Sequence, residues 1–438
     1  MEITINSNEM IKPSSPTPPH LRSFKLSLLD QFVPTMYTPI LLFFPAGNFS
    51  DDDHRQVRSR ILKNSLSTFL TRYYPLAGRL NGNISVECND EGVYYSEAEV
   101  DSSLLDVLRE PEIETMKKLM PPKNKNDILF LVQVTFFECG GLSIGVCISH
   151  KFSDAASTTT VIRAWAAEAE AFMHHESILL VAPQLSSAAI FPPIDNLPMG
   201  KLADEFDKEK PRVVVRRYVF SASKIASLKE IAVSEEVRSP SRVEVVSAFL
   251  WRRTIRTIKL KLGTHRPLAI VWPVNLRARL LPPLGSDTFG NIAIPMVMEG
   301  QDESECEIKL SKLINVMRRG ILEIDSKYGR ELGTEELVGE IFKSYTEVGK
   351  ILEKASEMDF HGHSSWCRFP LYEVDFGWGK PVWATIAYIE HPNTVVLMDA
   401  RDDGAIEAWV SLKEEDMFIF EQDDDLSKFA TLNPCPYV

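Results

Sequence analysis

The stretch "LSIGVCISHKFSDAASTTT" carries near-continuous apolar and β-branched residues straight into His150, with Asp154 just before a helical pattern. Imidazole is the side chain whose ordinary pKa lets it take a proton from an alcohol or amine near neutral pH and release it again. A histidine that ends a strand is delivered to a sheet edge. The residues after it, Ser153, Ala155, Ala156 and Ser157, are small and leave room for a substrate. A lone histidine beside an apolar strand is more often a boundary residue, and it is the strand-end position with small neighbours that points to a general base. A second constellation is "YEVDFGWGKP", Tyr372 to Pro381, read as a strand whose glycines signal close approach of another backbone or a ligand.

Other groupings are less specific. "GLSIG" has the GxSxG spacing of a hydrolase nucleophile elbow, which needs a sharp turn at the serine and a helix directly after it. Ser143 instead lies inside a run that continues as "IGVCIS", so it reads as a strand residue. "HGH" (His361, His363) and "HH" (His174, His175) lack a third ligand at fixed spacing and read as solvated or loop histidines, with no metal. The runs Asp51 to Asp53 and Asp423 to Asp425 lack the calcium-loop register and read as solvated surface. The six cysteines, Cys88, Cys139, Cys147, Cys306, Cys367 and Cys435, form no CxxC pair and read as buried small hydrophobes in a reducing compartment.

These residues need elements to hold them. "KPSSPTPP" is an extended lead-in. "RQVRSRILKNSLSTFLTRYYPLAG" has helical spacing stopped by Pro75 and Gly78. "ILFLVQVTFFE" and "LSIGVCIS" flank a Gly-Gly turn as two strands, and "DAASTTTVIRAWAAEAEAF" is the next helix, so His150 and Asp154 fall in a short strand-to-helix connection. Residues 183–211, rich in Pro, Asp and Lys, read as a linker. Beyond it come the strand "RVVVRRYVF", a Ser-capped helix, a second helix with Ser241 at its N-cap, strands "PLAIVWPVNL" and "NIAIPMVME", two helices over Glu305 to Ala355, and a closing β meander "LYEVDFGW", "VWATIAYIE", "TVVLMDA", "AIEAWVSL" before an acidic helix. Strands and helices alternate without a strict βαβ repeat, which predicts α/β layers with mixed sheets in two similar-sized domains.

At 438 residues the chain exceeds one ordinary core. A net charge of -13 disfavours nucleic acid, because phosphate backbones need a basic face. No signal or transit pattern opens the chain and no apolar run reaches membrane-spanning length, so the expectation is a cytoplasmic protein without membrane partners.

Taken together, HxxxD as "HKFSD", DFGWG as "DFGWG", and "YYPLAGRL", "NLRAR", "GNIA" and "SSWCR" resemble the BAHD acyl-CoA-dependent acyltransferases, within a branch esterifying alkaloid, terpenoid and related alcohols, commonly with acetyl-CoA. The resemblance implies two chloramphenicol-acetyltransferase-like domains with mixed β-sheets flanked by helices and an active-site channel at their interface. It divides the chain into an N-terminal domain 1–182, joined by about 360–385 returning from the C-terminal half, a crossover linker 183–211, and a C-terminal domain 212–438. It makes His150 the general base, with no acyl-enzyme, and Asp154 a structural partner of Arg277. It casts Asp375, Gly377 and Gly379 as scaffold, with Trp378 near enough to the channel to help hold the oxyanion. Ser364, at a position often threonine, keeps a hydroxyl for a pantetheine or oxyanion contact. Ser241 and Arg242, at a helix N-terminus, are the expected phosphate contacts of coenzyme A. Acyl-CoA is then a co-substrate and no cofactor is bound. The expected partners are an acyl-CoA donor and a small-molecule alcohol, in a monomer. Acylation of an amine, or a silent binding homologue, are the alternatives.

Overall fold

The computed structural model describes residues 2–47, 54–122, 128–175, 183–197, 212–299, 308–354, 356–401 and 404–436. Its strands form two large open sheets and one small one. The first sheet has the order β1 (Ile3–Ile11), β6 (Val93–Val100), β7 (Phe130–Phe137), β8 (Leu142–Ser149), β3 (Tyr37–Phe44) and β13 (Trp383–Thr385). The second runs β11 (Ala293–Glu299), β10 (Leu268–Asn275), β12 (Asp359–Ser365), β14 (Thr394–Asp399), β15 (Ile406–Lys413), β9 (Val213–Phe220) and β16 (Thr431–Leu432). β2 (Ser23–Lys25), β5 (Ser85–Glu87) and β4 (Arg79–Asn81) make the third. Both large sheets mix parallel and antiparallel pairs. The result is the α/β architecture of two sheet-rich domains flanked by helices, with no closed barrel among the described residues.

β7 and β8 are buried along their whole length, which explains why they read as continuous apolar runs rather than alternating ones. Helices His54–Arg72 and Ala155–His174 pack on each other in the first core, where Leu66, Phe69, Ile162 and Trp165 are fully buried. In the second core, helix Arg242–Leu262 packs Val246, Phe249 and Leu250 with Ile270 and Ile294. Its basic side chains meet the acidic C-terminal segment: Arg253 pairs with Asp423 and Asp425, and Lys261 with Glu415 and Asp416. Asp423 is therefore buried, against the expectation of a solvated run, and it caps helix Asp424–Phe429. Asp51 to Asp53 lie outside the described residues.

The two sheets are joined by β13. It comes late in the chain yet pairs with β3, and its Trp383 indole donates to Glu407 Oε1 of the second sheet at 3.1 Å. Glu407 also accepts from Arg217 Nη2 at 2.6 Å and Nε at 2.9 Å, and both side chains are about 2% exposed. The expected closing meander is thus divided between sheets. The return to the first sheet also begins later than residue 360, because Asp359–Ser365 is a strand of the second.

"YEVDFGWG" is not a strand. Leu371–Glu373 is a 3-10 turn, and the following chain folds around Asp375, whose Oδ1 accepts from the backbone N–H of Gly377 and of Gly379, each at 2.8 Å. Gly377 has φ 98°, and a Cβ there would stand 2.9 Å from the Cβ of Met173. Alternation of residue types cannot reveal a left-handed backbone, which is why the pattern misled. The linker, too, is only partly as expected. Residues 198–211 lie outside the described ones, but Ser187–Ile190 is a short helix and Phe191 is fully buried, so its first half is packed structure.

Candidate active site

β8 pairs with β3 up to Tyr37 and Ser149, and the chain leaves the sheet at the next residue. The backbone N–H of His150 donates to Met36 O at 2.7 Å, which fixes the turn. Asp154 then caps helix Ala155–His174, accepting from Ser157 N at 2.8 Å. Between these two anchors the imidazole reaches a cavity of about 300 Å³ at the seam of the two sheets. Val33, Ala155 and Ala156 border it on one side, and Val271, Pro273, Ala293, Pro295, Tyr345, Ser364, Trp366 and Phe369 on the other.

The ring of His150 is held through one nitrogen. Its Nδ1 lies 3.1 Å from Asn291 Oδ1. The Asn291 amide cannot be turned round, because its Nδ2 donates to the His150 carbonyl at 2.9 Å and to Asp30 Oδ1 at 2.8 Å. A carbonyl only accepts, so Oδ1 must face the ring and Nδ1 must carry the proton. Nε2 is left as an acceptor without a protein partner among the described residues. Asp30 anchors Asn291 from the far side and also accepts from Ser27 N and Oγ; burial raises its carboxyl pKa despite these bonds. The neighbouring Lys151 ammonium donates to Gln31 O and Val33 O, and burial pushes its pKa down to about 8. Neither Asn291, Asp30 nor Lys151 was singled out from sequence. The only local hints are their places in "GNIA", "LSLLDQ" and "HKFSD".

Asp154 is saturated. Its carboxylate accepts from Arg277 Nη1 at 2.8 Å and Nη2 at 3.1 Å, from Ser157 N, and from Ile292 N at 3.0 Å. Burial works to raise its pKa, but Arg277 and the N–H donors more than offset this and hold it below the ordinary value. Arg277 is equally committed, donating also to Ser157 Oγ, Gly290 O and Thr288 O. The pair ties the strand-to-helix turn of the first sheet to the 288–292 segment of the second.

The remaining expected residues divide. Ser364 borders the cavity and accepts from the Trp366 indole at 3.1 Å. Trp378 does not border it. Its ring packs against Phe44 and Phe376, with the Arg58 guanidinium 5.3 Å from the centroid. Phe44 is paired with Leu142 while His150 follows Ser149, so the two lie about 25 Å apart at the usual strand rise. The oxyanion contact expected of Trp378 is corrected on this ground, and Asp375, Gly377 and Gly379 share its remote position. Ser241 spends its hydroxyl and N–H on a capping box with Glu244. Arg242 Nη2 donates to Asp399 Oδ1 at 3.1 Å, and Asp399 Oδ2 in turn accepts from Arg368 N, between Trp366 and Phe369. Arg242 thus stands beside the segment whose Trp366 and Phe369 border the cavity, already holding a carboxylate.

His361 and His363 are not solvated but buried on β12, and burial takes both pKa values down to about 3. No cluster of metal-ligating side chains occurs among the described residues. Of the cysteines, Cys88 and Cys147 are buried, Cys139 is exposed, Cys367 and Cys435 are intermediate, and Cys306 is outside the described residues. No helix among the described residues is long and apolar enough to cross a membrane.

Comparison with known proteins places this geometry in context. The model of the Transferase family matches residues 1–427. Stemmadenine O-acetyltransferase of Catharanthus roseus is 36% identical over 434 residues, covering 96% of this chain and 97% of its own. 17,18-epoxy-17-hydroxycur-19-ene N-malonyltransferase of Strychnos nux-vomica is 36% identical, covering 98% and 91%. The crystal structure of vinorine synthase superposes with a TM-score of 0.83 at 33% identity over 98% of both chains. F. sporotrichioides TRI101 complexed with Coenzyme A and T-2 shares the fold, with a TM-score of 0.68 at 20% identity over 94% of this chain and 99% of its own.

Proposed function

The chain belongs to the Transferase family, the BAHD acyltransferases, and on that premise we propose that it moves a short aliphatic acyl group, acetyl in the first instance, from coenzyme A to a hydroxyl of a plant specialised metabolite. The observation that carries the proposal is the free Nε2 of His150, its partner nitrogen pinned by Asn291, in a cavity bordered by both sheets. In this reading Nε2 takes the proton of the acceptor hydroxyl as its oxygen attacks the thioester carbonyl. The tetrahedral intermediate collapses with expulsion of the CoA thiolate, which recovers the proton from the imidazolium. No acyl-enzyme is needed. Asp154 has no free valence for the base and acts by holding Arg277 and the turn. Ser364 contributes a hydroxyl to the cavity, and Ser241 and Arg242 are the proposed contacts for the CoA phosphates, with Arg242 exchanging Asp399 for phosphate. The division into 1–182, 183–211 and 212–438, a monomeric state and a cytoplasmic site belong to the same proposal. An amine acceptor is a second reading, favoured by the N-malonyltransferase relative, since the same base serves.

The test is release of free CoA thiol by the purified protein. Acetyl, isobutyryl, isovaleryl, malonyl and coumaroyl-CoA are crossed with a panel of alkaloid, terpenoid, naphthoquinone and phenylpropanoid alcohols and amines. His150→Ala is expected to lower acceptor-dependent release by about 10²- to 10⁴-fold while keeping the fold. Turnover at the wild-type rate in that variant would refute the base.

A further inference from the structure

The polar groups around the cavity are mostly spent on one another. Asp154 is saturated, Asn291 is used by Asp30 and His150, and Ser364 holds the Trp366 indole. Tyr345 is different. It rises from helix Thr334–Glu353, its ring lies flat on Phe32 with centroids 4.0 Å apart and planes 9° from parallel, and it borders the cavity. Its hydroxyl meets no hydrogen-bond partner among the described residues. Burial, then the neighbouring Tyr328 and Asp30, push its pKa up, so it is a neutral O–H at any working pH. The wall beside it is poor in donors. Pro273 and Pro295 face each other across β10 and β11, and neither brings an N–H.

An uncommitted donor in an apolar wall is costly when a ligand expels its water and offers nothing in return. It therefore selects among ligands. Resting on the transferase reading above, we infer that the Tyr345 hydroxyl binds the acceptor, donating a hydrogen bond to a second oxygen on its skeleton. The acceptor class is a neutral, largely apolar alcohol that carries a carbonyl, ester or ether oxygen besides the hydroxyl to be acylated.

The experiment compares Tyr345→Phe, which keeps the stack on Phe32, with wild type. The probes are a polycyclic hydroxy-ketone and the same alcohol lacking the ketone, with acetyl-CoA as donor and thiol release as readout. Wild type is expected to favour the hydroxy-ketone by about tenfold in kcat/KM, the range of one neutral hydrogen bond. Tyr345→Phe is expected to erase that preference by raising the KM of the hydroxy-ketone, with the KM of acetyl-CoA and the thermal midpoint unchanged. A preference that survives in the variant, its absence in wild type, or failure of both probes overturns the inference. The wider panel separates the two levels: turnover there without discrimination within the pair removes only the role of Tyr345, whereas no turnover with any acceptor removes the transferase reading as well.

Discussion

His150 and Asp154 stand four residues apart, yet each looks to its own partner: one ring nitrogen to Asn291, the carboxylate to Arg277. Asp154→Ala leaves a buried guanidinium without its counter-ion, a change that costs about 3–5 kcal/mol in comparable sites. The expected outcome is a large drop in thermal midpoint together with lost activity; an inactive variant as stable as wild type would instead assign Asp154 to the chemistry. A second residue-scale outcome concerns acid. His361 and His363 have folded pKa values near 3, below the ordinary 6.5, so between these limits the unfolded chain binds protons that the folded chain excludes. Their contribution is complete above about pH 6.5 and is lost as pH falls toward 3. Thermal midpoints measured from pH 8 to pH 4 should decline from about 6.5 downward, less steeply in a His361→Gln, His363→Gln double variant.

At the scale of elements, the DFGWG turn separates scaffold from reagent. Asp375 gathers two glycine N–H groups at the far end of the first sheet from the base. Asp375→Ala is expected to lower the thermal midpoint, through two lost charge-assisted bonds of roughly 1.5–3 kcal/mol each at most, while KM values of the folded fraction stay within about twofold. A selective rise in KM at unchanged stability would put the turn in the substrate path. This turn also shows where sequence reading fails. His150, Asp154 and the helix after them were legible because a buried strand, an N-cap and a helical period are local signals. The backbone of Gly377 and Gly379 gives no periodic trace, so an Asx-centred turn was read as a strand. Asn291 and Tyr345 were illegible for another reason. No local signal beyond the "GNIA" context of Asn291 assigns either a role, and only chain closure brings them to a histidine more than a hundred residues earlier.

For the molecule as a whole, the seam matters more than either sheet. Arg217, Glu407 and Trp383 join the sheets through buried hydrogen bonds, with the guanidinium 4.9 Å from the indole ring centroid. Glu407→Gln strips the counter-charge from Arg217 in a site that is about 2% exposed, and a loss of about 3–5 kcal/mol in urea unfolding is expected. A loss under 1 kcal/mol would mean that this trio does not hold the sheets together, leaving the task to apolar packing and the Asp154–Arg277 tie. The cavity on that seam has one more property. Of the seven tryptophans, Trp366 alone borders it, with its indole bonded to Ser364, while the others pack elsewhere in the cores and sheets. A ligand that enters must alter the polarity around that single fluorophore. Emission can therefore count occupied molecules in a titration, one substrate at a time, before any bond is made or broken.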